Sequence, residues 1–231
     1  MKYFQLYIGV DKEVRKYIDN INITSADVTY WLNKALDEFI NTRYRKYEQD
    51  EESREDLRYL YAESTLTPEA GTESLMGTSV AYNFDLSALS YRFITNERAT
   101  ISFGGATKIV SVKPVTKDQF NIKINDPFSE HVLHLQNAIP LKLDREVSSG
   151  GTTTSISLIS DGNYSITDYK LMYIMNPTKF VILDAGNTSD YTDLSEKASK
   201  ELITISTRMI IENLSNPRYN TISAEEMKQK L

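Results

Sequence analysis

The sequence predicts an α+β protein. Amphipathic helical patterns stand at both ends of the chain, and the stretch between them alternates with a period of two, interrupted by glycine turns. At 231 residues the chain can bury one substantial core or two modest ones. The expected organisation is a helical base built from residues 1–66 and 190–231, its N- and C-terminal helices packed together, with residues 67–189 inserted as a β-rich domain, barrel- or sandwich-like.

Taken in order, Phe4, Leu6 and Ile8 alternate with Tyr3, Gln5 and Tyr7, so the N-terminus is expected as a strand. It would lie either in the chain's own sheet or as an arm on a neighbouring subunit's edge. Thr24 or Ser25 then caps a helix reaching Tyr44, with Asp27 placed to meet the free N–H groups of the first turn. Val28, Trp31, Leu32, Ala35, Leu36, Phe39 and Ile40 recur at three- and four-residue spacings and form its buried stripe. Trp31 and Phe39 are expected as core anchors, while Asn33, Lys34, Asp37, Glu38 and Asn41 form the solvated face. Between Arg43 and Arg58 the charges nearly cancel, as on a helix surface laced with ion pairs, and a second helix is expected from Glu51 to Glu63 with Leu57, Leu60 and Tyr61 as its apolar edge. Thr67-Pro68 and Gly71 end the helical sequence.

From Thr78 the period changes to two. Val80, Tyr82, Phe84 and Leu86 share one face, and Leu89, Tyr91 and Phe93 begin the next strand. Further strands are expected at Thr100–Phe103, Lys108–Val112, His131–Leu135, Leu141–Val147, Ser155–Ile159, Ile166–Ile174 and Lys179–Leu183. Turns fall at Gly104-Gly105, Gly150-Gly151 and Asp161-Gly162. Thr116 with Gln119 has the spacing of a capping box, which favours a short helix ended by Asp126-Pro127, although Phe120, Ile122 and Ile124 also alternate like a strand. The last helix starts near Asp193 or Ser195 and carries Ala198, Leu202, Ile205, Met209 and Ile210 on one side, with Ile203 and Ile211 widening the stripe so that more than one face is buried. Asn216-Pro217 stops it, and the polar tail from Thr221 either frays or forms a short helix capped by Ser223.

Composition narrows the function classes. The charged fraction of 25% and apolar fraction of 40% are those of a folded protein rather than a disordered one. Fifteen Tyr against one Trp suit half-buried strands and protein interfaces. The formal charge, 26 basic minus 32 acidic residues, is −6, which argues against sequence-specific DNA binding and is compatible with a wall along which DNA slides. The absence of cysteine excludes disulfides, thiolate metal sites and cysteine nucleophiles. Met1 to Val10 lacks the apolar run and cleavage site of a signal peptide, and no stretch reaches the ~18 apolar residues needed to span a bilayer. The protein is therefore expected to stay in the cytoplasm of its producer unless it leaves in an assembly.

No residue is assigned a catalytic, cofactor-binding or metal-binding role. His131 and His134 are the only metal-like spacing, and in a strand they would point to opposite faces. Asp184, Asn187, Asp190 and Asp193 crowd one loop without the ligand spacing of a calcium-binding loop, and fit turn formation and helix capping better. No phosphate-binding glycine loop, nucleophile elbow or glycosidase carboxylate pair stands out.

Three stretches carry a resemblance. Ile23-Thr24-Ser25-Ala26-Asp27-Val28-Thr29-Tyr30-Trp31-Leu32-Asn33-Lys34-Ala35-Leu36-Asp37-Glu38-Phe39, reaching Thr42-Arg43-Tyr44, resembles the opening helix of head-to-tail connector or ring proteins of tailed bacteriophages. It is most similar to those of the short-tailed crAss-like phages of gut Bacteroidales. Glu201-Leu202 through Arg208-Met209-Ile210-Ile211-Glu212-Asn213-Leu214 to Asn216-Pro217-Arg218-Tyr219 resembles the terminal helix of the same group, and Val115–Phe120 with Asn125–Phe128 is a weaker match. The resemblance implies a non-enzymatic virion protein without cofactor, assembled in the bacterial host cytoplasm. It would be one of about twelve copies in a homo-oligomeric ring, contacting the portal and the neighbouring ring proteins of the tail barrel, with double-stranded DNA passing through and no membrane insertion. The other reading of the β-rich stretch is a receptor- or carbohydrate-binding module of a tail or surface protein.

Overall fold

The computed structural model describes residues 1–18, 23–75, 77–134, 137–147, 153–181 and 190–213. Its elements in chain order are α1 (Tyr3–Arg15), α2 (Ser25–Lys46), α3 (Glu51–Leu57), a 3-10 turn (Arg58–Leu60), β1 (Tyr61–Leu66), β2 (Glu73–Ser74), β3 (Val80–Asp85), β4 (Tyr91–Phe103), β5 (Ala106–Ser111), β6 (Lys113–Pro114), α4 (Lys117–Ile124), β7 (Leu141–Val147), β8 (Thr153–Ser160), β9 (Ser165–Met175) and α5 (Glu196–Asn213). The protein is thus mixed α+β. The chain divides into two compact units, Met1–Leu60 with Pro177–Leu231, and Tyr61–Asn176.

In the helical unit, α5 touches both α1 and α2, and α2 touches α3. The expected N-terminal strand is a helix instead. Leu6, Val10 and Val14, spaced by four, are fully buried, and this stripe outweighs the short alternation of Phe4, Leu6 and Ile8. Gly9 belongs to the close approach of α1 and α5, since a Cβ there would lie 2.6 Å from the Ile203 side chain. Tyr3 packs edge-on against Phe180 and Tyr191, at ring-centroid distances of 5.7 and 5.5 Å.

Helix α2 starts as expected. Thr24 Oγ1 accepts the Asp27 N–H at 3.2 Å, and the Thr24 N–H donates back to the Asp27 carboxylate at 3.1 Å. The Thr24 hydroxyl and then the Thr24 N–H, both donating to the Asp27 carboxylate, hold the Asp27 pKa below its usual value. Asn33, expected on the solvated face, is half-buried. Its amide clamps one peptide segment, donating to the Phe180 carbonyl at 3.0 Å and accepting the Phe180 N–H at 2.9 Å. That clamp stands where a strand was expected at Lys179–Leu183. Residues 179–181 are not strand, and residues 182–183 lie outside the described residues. The second helix ends at Leu57 rather than Glu63, because Tyr61–Leu66 pairs with β9. The boundary between units therefore falls at Leu60, before the expected residue 66.

Helix α5 buries Ala198, Ser199, Leu202, Ser206, Thr207, Ile210 and Ile211, whereas Ile205 and Met209, expected in the stripe, are half-buried. Small hydroxyl residues occupy the crowded face, and Ser199 and Ser206 return their hydroxyls to the Ser195 and Ile203 carbonyls. The expected Asn216-Pro217 stop and Ser223 cap lie outside the described residues.

In the other unit the sheets are ordered β1-β9-β4-β5 and β2-β3-β8-β7-β6. Each keeps two edge strands, so no barrel is found among the described residues. One apolar cluster draws Ala99, Ile101, Tyr169 and Leu171 from the first sheet and Phe84, Ile156 and Leu158 from the second. A smaller cluster, with Ala81, Leu141 and Ile159, takes Ile124 and Phe120 of α4 on the second sheet's other face. Helix α4 follows Thr116 as expected, but without a side-chain cap bond. The two strands expected near Tyr91 and Thr100 are one 13-residue strand, β4, with three register irregularities against β9. Gly104 and Gly105 turn β4 into β5 with φ of 53° and 81°, a conformation open to glycine at little cost. The expected Gly150-Gly151 turn lies outside the described residues. No strand forms at His131–His134, where His134 makes only an isolated bridge with Asn137, and Leu135 lies outside the described residues.

Glu97 links the two sheets. Its carboxylate accepts from the Tyr169 hydroxyl and from Lys142 Nζ at 2.5 Å, and both charged side chains are mostly buried. Replacing Glu97 by Ala leaves the buried Tyr169 phenol without its acceptor and Lys142 with only Asp144, 3.9 Å away, and is expected to cost about 2–4 kcal/mol in chemical denaturation. In the helical unit, Asn33→Ala orphans both polar groups of Phe180 and is expected to cost about 1–3 kcal/mol in the same measurement.

Candidate functional site

A cleft of about 330 Å³ opens in the β-rich unit, lined by residues 77–79, 124–127, 131–132, Asp161 and Asn163. Gly162 joins two of the lining residues, Asp161 and Asn163. The φ of this residue is 85°, and a Cβ would sit 2.3 Å from the Thr78 carbonyl oxygen. His131 lines the cleft, yet its side chain is buried and its Nδ1 is without a hydrogen-bond partner. Burial lowers the His131 pKa, and the carboxylates of Asp161 and Asp126 oppose that shift only in part. The ring is accordingly neutral at pH 7.

The other polar groups here hold their own turns. Asp161 Oδ1 accepts the Asn163 N–H at 3.0 Å, and its Oδ2 accepts the Leu133 N–H at 2.9 Å and the Asn163 amide at 2.8 Å. Asp126 Oδ1 accepts the Phe128 N–H at 2.9 Å, and the Asn125 amide donates to the Asn121 carbonyl. A general acid or base must reach a substrate proton. Asp161 is engaged and the free histidine nitrogen is shut off from solvent, so neither is presented for that work.

The singled-out metal candidates do not converge. His131 is buried, whereas His134 is exposed with its Nε2 3.3 Å from the Pro127 carbonyl. Asp190 forms an isolated bridge with Lys2, and Asp193 accepts the Thr178 N–H at 2.7 Å. Asp184 and Asn187 lie outside the described residues. Among the described residues no three His, Cys, Asp or Glu side chains cluster as a metal site.

The mixed-charge stretch that began at Arg43 is only partly a surface feature. Arg43 is pulled inward, 2.8 Å from Asp56 and 2.6 Å from Glu201, with its guanidinium over the Phe39 ring. This cluster joins α2, α3 and α5. Burial raises the Asp56 pKa against the pull of Arg43, and the nearby Glu201 adds to the rise.

What the surface offers instead is apolar and aromatic. Phe128 is 88% exposed, Ile122 71% and Tyr30 54%. Trp31, expected as a core anchor, is half-buried and stacks edge-on with Tyr30 at 5.2 Å. Lys34 places its ammonium 4.8 Å from the Tyr30 centroid and 5.0 Å from that of Trp31. The sequence signal was present in the i, i+1, i+4 placement of these three. Trp31 lies beside Tyr30 and Lys34, at the margin of the apolar stripe. No helix among the described residues is long and apolar enough to cross a membrane. Compared with known proteins, the chain matches no family model and no curated protein.

Because Trp31 is half-buried, Trp31→Ala is expected to cost about 1 kcal/mol in denaturant unfolding, well below the ~3–5 kcal/mol of a fully buried Trp.

Proposed function

We propose that the protein is a structural virion component, a ring protein of the head-to-tail connector or tail barrel of a short-tailed bacteriophage. In this reading about twelve copies form the ring, joining portal to tail and lining the route for genome ejection. It would be assembled in the host cytoplasm and carried in the virion neck. The observation that carries the reading is the Tyr30–Trp31–Lys34 cluster, with Tyr30 and Lys34 exposed and Trp31 half-buried, because it lies on α2, the helix whose sequence resembles those ring proteins. Aromatic side chains held rigid by a neighbouring cation are suited to obligate protein interfaces, which commonly bury upward of ~2,000 Å².

Both chain ends contribute to the helical unit, which supports the proposal that these helices form a shared base and that the β-rich unit is an insertion between them. The net charge of −6 supports a channel wall past which double-stranded DNA moves without sequence-specific binding. The alternative, a carbohydrate- or receptor-binding module, is less favoured. Sugar platforms need open aromatic faces, and Lys34 already stands over both rings of the cluster.

Negative-stain microscopy and native mass spectrometry of the full chain, alone and with the portal protein of the same genome, are expected to show rings of about twelve subunits. A persistent monomer that instead captures glycans on an array would overturn the proposal.

A further inference from the structure

Among the described residues, the first sheet ends in two strands of equal length, each paired on one side only. Strands β1 and β5 have six residues each and stand at opposite ends of the order β1-β9-β4-β5. All three pairings between them are antiparallel, so β5 runs opposite to β1. A sheet of that parity can be continued by a copy of itself, with β5 of one copy beside β1 of the next and the antiparallel alternation unbroken.

The backbone of β5 is free to do so. The Gly104-Gly105 hairpin closes on the hydrogen-bonded pair Phe103–Ala106, and bonded and non-bonded pairs alternate along the ladder. Thr107, Ile109 and Ser111 therefore turn their N–H and C=O groups away from β4. Among the described residues, no loop or helix backbone group bonds to them or to the residues of β1. Such an edge templates another strand.

The side chains agree. Ala62 and Leu66 of β1 and Val110 of β5 pack toward the shared apolar cluster. Alternation then puts Tyr61, Glu63 and Thr65 on the same opposite face as Thr107, Ile109 and Ser111. Tyr61 is 40% exposed and Ile109 62%, so each edge carries a large apolar side chain on that face. The edge charges are satisfied within the sheet's own copy, Glu63 of β1 by Lys170 and Lys108 of β5 by Asn137, so neither strand brings an unpaired charge to the seam.

We infer that β5 of one copy pairs antiparallel with β1 of the next, joining copies of this chain head to tail in a continuous sheet. Closure of the repeat into a ring rests on the function proposed above. The edge pairing does not, because a head-to-tail repeat that fails to close gives a filament.

The chain contains no cysteine, so introduced thiols report directly. Full-length protein carrying both Tyr61→Cys and Ile109→Cys, treated with a short bis-maleimide, is expected to give a ladder of covalent multimers. Neither single variant should cross-link. A double variant that stays monomeric, or a single variant that cross-links to itself, overturns the pairing. Ile109→Pro removes only an outward N–H, and is expected to weaken self-association at least tenfold in sedimentation with the thermal melt unchanged. Rings that persist in this variant overturn the edge pairing and leave the ring reading standing. Filaments of the wild-type chain, together with a 61–109 cross-linked ladder, uphold the pairing and overturn the ring.

Discussion

The β-rich unit depends on one polar link inside an apolar space. Glu97 stands on β4 among residues that otherwise feed the cluster shared by both sheets, and it takes the Tyr169 hydroxyl from its own sheet and the Lys142 ammonium from the other. A carboxylate here is tolerated only because both partners are present, and the Tyr169 phenol in turn is held by that carboxylate. Burial and the Glu97 charge together push the Tyr169 pKa upward, so the phenol remains a donor across the whole working pH range. The link fixes which residues of β4 and β7 face each other. Apolar contacts alone, being non-directional, would leave that register weakly defined.

The register of the first sheet carries further corrections of the same kind. Thr100 pairs with Asp168 and Ile101 with Ile166, which leaves Thr167 as an extra residue on β9. That bulge lets Ile166 and Tyr169, three positions apart, both enter the shared cluster. Near the start of β4, similar irregularities allow Tyr91 and Ile94 to do the same. Beyond these shifts, β1 and β5 form the two ends of the first sheet.

The cleft and the aromatic surface divide the functional question in physical terms. The cleft is polar, but its carboxylates and amides hold their own turns and its unpaired histidine nitrogen is closed to solvent. The surface cluster on α2 is open, and its cation and rings already hold one another in place. A site of the first kind serves the fold. One of the second kind is built before any partner arrives, so a partner gains contact without ordering the side chains it meets.

The sequence by itself determined what depends on neighbours within about one turn or one hairpin. Thr24 with Asp27 and the apolar stripe of α2 specify that helix, Ser195 and Leu202 with Ile210 specify α5, and Gly104-Gly105 specifies a two-residue turn, because periodicity and cap chemistry are local. The candidate surface was half-legible. Lys34 was expected on the solvated face but Trp31 in the core, and whether Trp31 faced core or solvent turned on what covers that flank of α2. Only the tertiary structure decided that the first residues are helix, since Leu6, Val10 and Val14 gain their burial in the core of the helical unit, where Gly9 lets α1 approach α5 closely. It likewise decided that Tyr61–Leu66 leaves its helical neighbours to pair with β9, and that Asn33 turns inward to hold Phe180. In each case the local pattern allowed two answers, and the choice fell to a partner about 100 or more residues away, whose contact energy exceeds the small local preference.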